Sequence, residues 1–376
     1  MKNKLIARTV RAALAAALLC TSFSALATQY TVTDLGTLGG TSSFATGINS
    51  AGEVVGYSYN STGYPNAFLY SNGAMQNLGA TGGYYNQANA INSTGQVVGY
   101  AENNINGNNY AAIYANGVIQ NLGTLSGDVT SYATDINSTG QVVGYSYNSA
   151  GNDHAFLYSN GSMQDLGTLG GSDSRAYAIN SFGQVVGAAT NSAGNSNAFL
   201  YSNGSMQDLG TLGGTSSAAY AISSTGQVVG YSETSAGNDN AFLYSNGSMQ
   251  DLGTLGGTQS LANNINTIGE VVGWADNSAG NDNAFLYSNG VMTNLNSLIG
   301  TAASTYTLIN ATAINDLGQI AVDGTDSGTG QSVAFLLTPV ASTASAGVPA
   351  PATLGLLGAS LLGLLFASRK RRVLTF

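Results

Sequence analysis

The sequence predicts an all-β chain folded as a seven-bladed β-propeller. Its blades are four-stranded and antiparallel, and the N-terminal strand closes the ring. Three observations lead there. One unit, seen from Ala155 to Asn197, returns after 43 residues almost unchanged, and seven versions fill the chain between Tyr30 and Pro339. Each unit holds four short strand-like runs joined by Gly- and Asn-rich turns, with no stretch at helical spacing. The two ends of the repeat region are complementary halves of one unit.

The first hairpin of the unit is Ala155-Phe156-Leu157-Tyr158, then Ser159-Asn160-Gly161, then Ser162-Met163-Gln164-Asp165-Leu166. Asn-Gly between two strand-like runs marks a type I′ turn, which needs positive φ at both central residues. The second hairpin joins the run ending at Ile179 to Gln184-Val185-Val186-Gly187 through Asn180-Ser181-Phe182-Gly183. Paired valines followed by glycine suit a strand buried on both faces. The Ile-Asn-x-x-Gly segment, in one copy Ile-Ser, recurs at Ile48, Ile91, Ile136, Ile179, Ile222, Ile265 and Ile314. The Ala-Phe-Leu-Tyr strand, with variants, recurs at Ala67, Ala111, Ala155, Ala198, Ala241, Ala284 and Ala334. One such unit cannot bury both faces of its sheet. A period of 40–50 residues with four strands per repeat therefore calls for radially packed blades.

Six of the Ala-Phe-Leu-Tyr strands run through Asn-Gly into a partner, at Asn72, Asn116, Asn160, Asn203, Asn246 and Asn289. The seventh, Ala334-Phe335-Leu336-Leu337, runs into Thr338-Pro339 and has no partner after it. The missing partner is at the other end, Tyr30-Thr31-Val32-Thr33-Asp34-Leu35-Gly36. Pairing the two removes an edge that would otherwise recruit other chains.

The four segments expected are a signal peptide (1–27), the propeller (28–340), a small-residue linker (341–347) and a sorting or anchor segment (348–376). The first has a basic start, an apolar stretch and a small-residue site at Ala25 and Ala27. Cleavage there removes Cys20, the only cysteine, which excludes disulfides and thiolate metal sites from the body. From residue 28 to 347 all 18 acidic residues face one basic residue, Arg175, so the net charge is 1 − 18 = −17. Nucleic acid and anionic membrane surfaces both demand cationic patches, so neither is an expected partner. The tail carries Val348, Pro349, Ala350 and Pro351, a 16-residue apolar run (352–367) read as a single hydrophobic helix, and Arg369, Lys370, Arg371 and Arg372. The chain meets a membrane only through this segment, with the basic cluster on the cytoplasmic side and the propeller outside.

These residues resemble two families. The His154-Ala155-Phe156 start, with Asp-Leu-Gly-Thr-Leu-Gly-Gly and Ile-Asn-x-x-Gly-Gln-Val-Val-Gly, resembles the HAF-repeat extracellular proteins of bacteria over about 310 of 376 residues. Only one copy has the His; Asn66, Asn197, Asn240 and Asn283 stand there in others. The tail resembles the PEP-CTERM sorting signal, with Val-Pro-Ala-Pro in place of the commoner Val-Pro-Glu-Pro. These resemblances imply export to the cell surface or outside it, processing by an exosortase-type membrane enzyme, and no defined activity.

Chemistry in a repeat protein belongs where the repeat breaks. With one His and no Cys in the body, zinc sites of the usual kind are excluded, and no nucleophile elbow flanks any serine. The non-repeating acids Glu102, Asp128, Asp173, Glu233 and Asp326 are the candidates for a carboxylate pair. The loops bearing Asp153, Asp239 and Asp282 offer oxygen ligands for Ca²⁺, though one carboxylate each, and Asn and Asp are also ordinary turn formers. No cofactor is expected beyond this calcium reading. Tyr57, Tyr100, Tyr145, Tyr231 and Trp274 share one repeat position, where an aromatic ladder stacks on sugar faces or packs between blades. The expected function is a non-catalytic surface or matrix protein that binds extracellular polysaccharide or another envelope component. A glycan-active enzyme using a carboxylate pair, and a purely structural matrix protein, stay open as alternatives.

Overall fold

The computed structural model describes residues 29–79, 85–103, 107–115 and 117–340. The expectations placed on residues 1–27 and 341–376, and on the Asn116 turn, lie outside them. Seven four-stranded antiparallel sheets follow one another around a ring. Blade 3 shows the pattern: Asp128–Ile136, Val142–Asn148, Asp153–Ser159 and Ser162–Asp165, each strand hydrogen-bonded to the next. The repeat seen in the sequence is half a blade out of phase with this. Its first hairpin forms the two outer strands of one blade, and its second forms the two inner strands of the next.

Blade 7 consists of Tyr306–Ile314, Ile320–Asp326, Ser332–Pro339 and, outermost, the N-terminal strand Tyr30–Asp34. Tyr30 pairs with Pro339 and Asp34 with Phe335. Ring closure by the N-terminal strand is thus the observed topology. The insertion before this blade forms two short 3-10 helices, Leu295–Ser297 and Gly300–Ser304. Leu295, Leu298 and Ile299 plug the space between blades 6 and 7.

The hairpin turns have the backbone the sequence called for, with φ of 52° at Asn160 and 81° at Gly161. The glycine of Val-Val-Gly has a different reason. A Cβ on Gly144 would lie 1.9 Å from the carbonyl oxygen of Tyr132, beside a bulge between Ala133 and Asp135. The two valines before it point to opposite faces and are both fully buried. Each core is shared between successive blades: Val143 and Ala155 of blade 3 pack with Ala176, Val185 and Phe199 of blade 4. Phe68, Phe156, Phe199, Phe242, Phe285 and Phe335 are all completely buried, each contributing about 2–3 kcal/mol.

The Ile-Asn-x-x-Gly segment is an interblade belt. Asn137 Oδ1 accepts the N–H groups of Thr139 and Gln141, shaping the turn, while its Nδ2 donates to Asn180 O of the next blade at 3.2 Å. Asn49 donates to Asn92 O, Asn92 to Asn137 O, Asn180 to Ser223 O, Asn266 to Asn315 O and Asn315 to Asn49 O. The belt breaks at Ser223, whose side chain has no amide to offer Asn266 O. Replacing Ser223→Asn is expected to complete it and raise the melting temperature by about 2 °C, roughly 1 kcal/mol. Asn137→Ala should cost about 2–4 kcal/mol, because two turn N–H groups lose their acceptor together with the interblade bond. Thermal denaturation of both variants checks this; equal melting temperatures would remove the belt from the account.

Candidate functional site: the aromatic mouth of the axial channel

The inner strands face an axial channel, and alternation along them, interrupted by a bulge in each, decides what lines it. In blade 1, Ala45 turns into the core and Thr46 into the channel. The ring at that level is Thr46, Asn89, Thr134, Tyr177, Tyr220, Asn263 and Thr312, every member uncharged. Several also tie blades together: Thr46 Oγ1 donates to Ala88 O at 2.9 Å, Asn89 Nδ2 to Ala133 O at 2.6 Å and Thr134 Oγ1 to Ala176 O at 2.9 Å. Blades 4 and 5 place tyrosines there instead.

Above this ring the channel widens into a cavity of about 440 Å³, walled also by Phe44, Tyr57, Tyr145 and Asp323. The rings form a partial wreath. Phe44 stacks on Tyr57 with centroids 5.0 Å apart, Tyr132 stacks on Tyr145 at 5.1 Å, and Tyr177 meets Tyr220 at 5.1 Å. Burial pushes the Tyr57 hydroxyl up to about 12, with the Asp323 carboxylate adding to it, and burial does the same at Tyr145. These phenols stay neutral donors over any ordinary pH.

The five aromatic residues singled out at one repeat position divide in their placement. Tyr57, Tyr100, Tyr145, Tyr231 and Trp274 are all half-buried on the second strands of blades 1, 2, 3, 5 and 6. Tyr57 and Tyr145 line the cavity. Tyr100 instead packs edge-on to Tyr132 of the next blade, and Tyr231 packs on Tyr220. The tyrosines contributed by first strands, Tyr132, Tyr177 and Tyr220, were missed. For Tyr177 and Tyr220 the signal was a break in the pattern, tyrosine where other units carry threonine or asparagine; Tyr132 stands at a position that varies from unit to unit, with Phe44, Gln87 and Arg175 among its counterparts.

The same register position holds Ala188 in blade 4 and Asp323 in blade 7. The gap at Ala188 opens a side cavity of about 190 Å³ that shares Tyr177 and includes Arg175, Asp153 and Asp173. Arg175, the only basic side chain among the described residues, donates through Nε and Nη2 to the buried Asp153, with its Cζ 5.0 Å from the centroid of the Tyr145 ring. Asp153 is thereby committed to an ion pair. The calcium-candidate loops are closed by their own first residues: Asn148 Oδ1 accepts from Ala150 and Asn152 N–H, Asn277 Oδ1 from Ala279 and Asn281 N–H, and Thr234 Oγ1 from Asn238 N–H. His154 Nδ1 lies 2.9 Å from Asp165 Oδ2, where Asn197 and Asn240 donate to Asp208 and Asp251 in other blades.

Two carboxylates overlooked in the sequence reach the channel. Asp323 accepts Ala45 N–H of blade 1 at 2.8 Å, and Asp135 accepts Ile136 N–H and, across to blade 4, Ile179 N–H at 2.9 Å. Burial pushes both up to about 7. The five acids singled out as non-repeating are spread over blades 2, 3, 4, 5 and 7. Glu233, for instance, is held by Thr215 N–H and Oγ1, which lower it from the ordinary range. Among the described residues no three His, Cys, Asp or Glu side chains converge to hold a metal ion.

No protein-family model and no curated protein matches the chain. Solved structures do. TolB from Acinetobacter baumannii has a TM-score of 0.45 at 11% identity, over 77% of this chain and 64% of its own. The S511A mutant of puromycin hydrolase gives 0.50 at 14% identity, over 78% and 53%. A puromycin-hydrolyzing peptidase of Mycobacterium tuberculosis gives 0.50 at 11% identity, over 81% and 52%. This chain spans about half to two thirds of the length of these proteins, and at such identity the likeness to the two at 0.50 is one of fold alone: the chain is a seven-bladed β-propeller.

Proposed function

We propose that the protein is an exported, non-catalytic binding module that holds a neutral extracellular polysaccharide at the aromatic mouth of its channel. The observation that carries this is the wall of the 440 Å³ cavity, where Phe44, Tyr57, Tyr145, Tyr177 and Tyr220 stand around asparagine and threonine side chains. Sugar rings present apolar C–H faces that stack on aromatic rings, and hydroxyls that exchange hydrogen bonds with amides and hydroxyls. An acidic polymer would meet a strongly negative body whose one basic side chain is already paired. The resemblance to HAF-repeat proteins and the PEP-CTERM-like tail support export and retention at the cell surface or matrix, with an exosortase-type enzyme as the processing partner.

A second reading, a glycan-cleaving enzyme, draws on Asp135 and Asp323, since glycoside hydrolysis needs one acid that keeps its proton near neutrality. Against it, each of these carboxylates is occupied with backbone N–H groups of the adjacent blade. Co-sedimentation of the chain with an insoluble neutral β-glucan and with a neutral galactomannan, with reducing ends assayed in parallel, separates the readings. Retention without cleavage is expected. Tyr177→Thr with Tyr220→Thr, which installs the residue type of blades 1, 3 and 7, should weaken retention at least tenfold, about 1.4 kcal/mol, while leaving the fold intact. Unchanged retention would dismiss the mouth as the site, and released reducing ends would favour the enzyme.

A further inference from the structure

The two ends of the ring differ in kind. The end opposite the aromatic mouth carries the Asn belt turns near the axis and the Asn-Gly turns near the rim. Five large apolar side chains are at least 60% exposed among the described residues, and all stand on this base: Val118, Phe182, Ile268, Val291 and Leu317. Phe182, Ile268 and Leu317 occupy one position in the belt turn, where the other blades have Ala51, Thr94, Thr139 and Thr225. Their backbones are fixed, since Asn180 and Asn315 hold the Phe182 and Leu317 N–H groups, and Asp316 of blade 7 holds Thr267 N–H of blade 6.

Charge divides the same way. Of the 18 acidic residues, only Glu53, Glu270 and Asp316 stand in the base turns. Each is engaged internally: Glu53 with Asn49 and Ser71, Glu270 with Asn266 and Ser288, Asp316 with Thr267. The base is also where the chain leaves the ring, Pro339 lying against Gly318 beside Leu317. Twelve residues (340–351) then precede the 16-residue apolar run, a tether of at most about 40 Å.

We propose that the base face, and not the tail segment alone as expected from the sequence, is seated on a lipid bilayer, its five apolar tips entering the interface while the acidic, aromatic mouth faces outward. This rests on the reading that the run 352–367 enters that bilayer. The pattern of the tips selects the occupant. They are separate side chains scattered between axis and rim, and a protein partner needs a continuous complementary patch of several hundred Å². A fluid interface takes each tip singly, and a tether of this length keeps the surface at high effective concentration. The crowded acids of the other end oppose the reversed orientation on any surface bearing negative charge.

The test uses the full chain reconstituted in phosphatidylcholine–phosphatidylethanolamine vesicles carrying brominated acyl chains, which quench tryptophan within the bilayer. Trp274, the only tryptophan, lies at the mouth end and should be unquenched. Phe182→Trp and Leu317→Trp, each with Trp274→Tyr, should lose more than half of their emission. Phe182→Thr, Ile268→Thr and Leu317→Ala, added to a Val291→Trp, Trp274→Tyr chain, should restore emission at position 291 while the chain still floats with the vesicles. Flotation with unquenched base probes overturns the docking and leaves the tail reading standing. So would concentration-dependent self-association in detergent with those probes unquenched, because the base would then be an interface between copies. Failure to float overturns the tail reading and the docking with it.

Discussion

A chain lacking residues 28–36 is expected to lose its monomeric, cooperatively unfolding state altogether. The deleted segment supplies the outermost strand of blade 7, paired over five residues from Tyr30↔Pro339 to Asp34↔Phe335. Tyr30 is buried with Leu298, whose carbonyl accepts its N–H, and Leu35 is buried in the core shared by blades 7 and 1, its N–H donating to Ala334 O. Two buried side chains at about 1.5–3 kcal/mol each and several ladder bonds at about 1 kcal/mol come to roughly 5–10 kcal/mol. That is comparable to the whole stability of an ordinary domain. The damage does not end there, because strand Ser332–Pro339 is left as an open edge next to the seam of the ring. Analytical ultracentrifugation should find oligomers or aggregate, and a synthetic peptide of residues 29–36 should restore a monomer. A truncated chain that stays monomeric and melts at the parent temperature would show that the ring does not depend on its closing strand.

That closure was readable because both halves of the split blade are marked by their own repeat motifs. Blade number and the Asn160-Gly161 turn were readable for the same reason, each being local to a few residues. The Asn belt was not. The motif could be counted, but the carbonyl that Asn137 serves belongs to Asn180 in the next blade, and nothing in either unit names its partner. The site was half legible for a related reason. Tyr57 and Tyr145 were found as one repeat position, whereas Phe44, Tyr177 and Tyr220 come from the preceding strand and join them only through register and ring curvature. Asp323 stands at the aromatic position itself, in the unit most altered by the 3-10 insertion, which hid the correspondence. Asp135 replaces the small or amide side chains of Gly47, Ala90, Ala178, Ala221, Asn264 and Ala313, and a bulge beside each removes the alternation that would have shown it facing the channel.

Those two acids invert the usual response to pH. Asp135 and Asp323 touch the lumen yet are surrounded by protein, and burial raises each from 3.8 to about 7. A carboxyl whose folded pKa lies above its unfolded one contributes stability that is fully present below about pH 4 and is lost as pH rises through 7. Glu233, held by the Thr215 hydroxyl and N–H, and Asp276, where burial is outweighed by the N–H groups of Thr258 and Gln259, are lowered instead, so their contribution is present above about pH 4.5 and fades in stronger acid. The sum is a chain that grows more stable from pH 8 down to about 5. Moving a carboxyl from 3.8 to about 7 corresponds to at most about 4 kcal/mol per group, and contact with channel water reduces this to roughly 1–3. The melting temperature should therefore rise by several degrees over that interval. Asp135→Asn tests the assignment with a residue blade 6 already uses, since Asn264 Oδ1 accepts Ile314 N–H in the same place. The variant should melt several degrees above the parent at pH 8, coincide with it near pH 5 and show about half its slope. Asp323→Asn keeps an acceptor for Ala45 N–H and should remove the other half. A parent whose melting temperature is flat or falling between pH 8 and 5 would mean that both carboxylates ionise freely, the channel being wet enough to solvate them. It would also remove the one feature that favours acid catalysis at this site, because neither group would then hold a proton near neutrality.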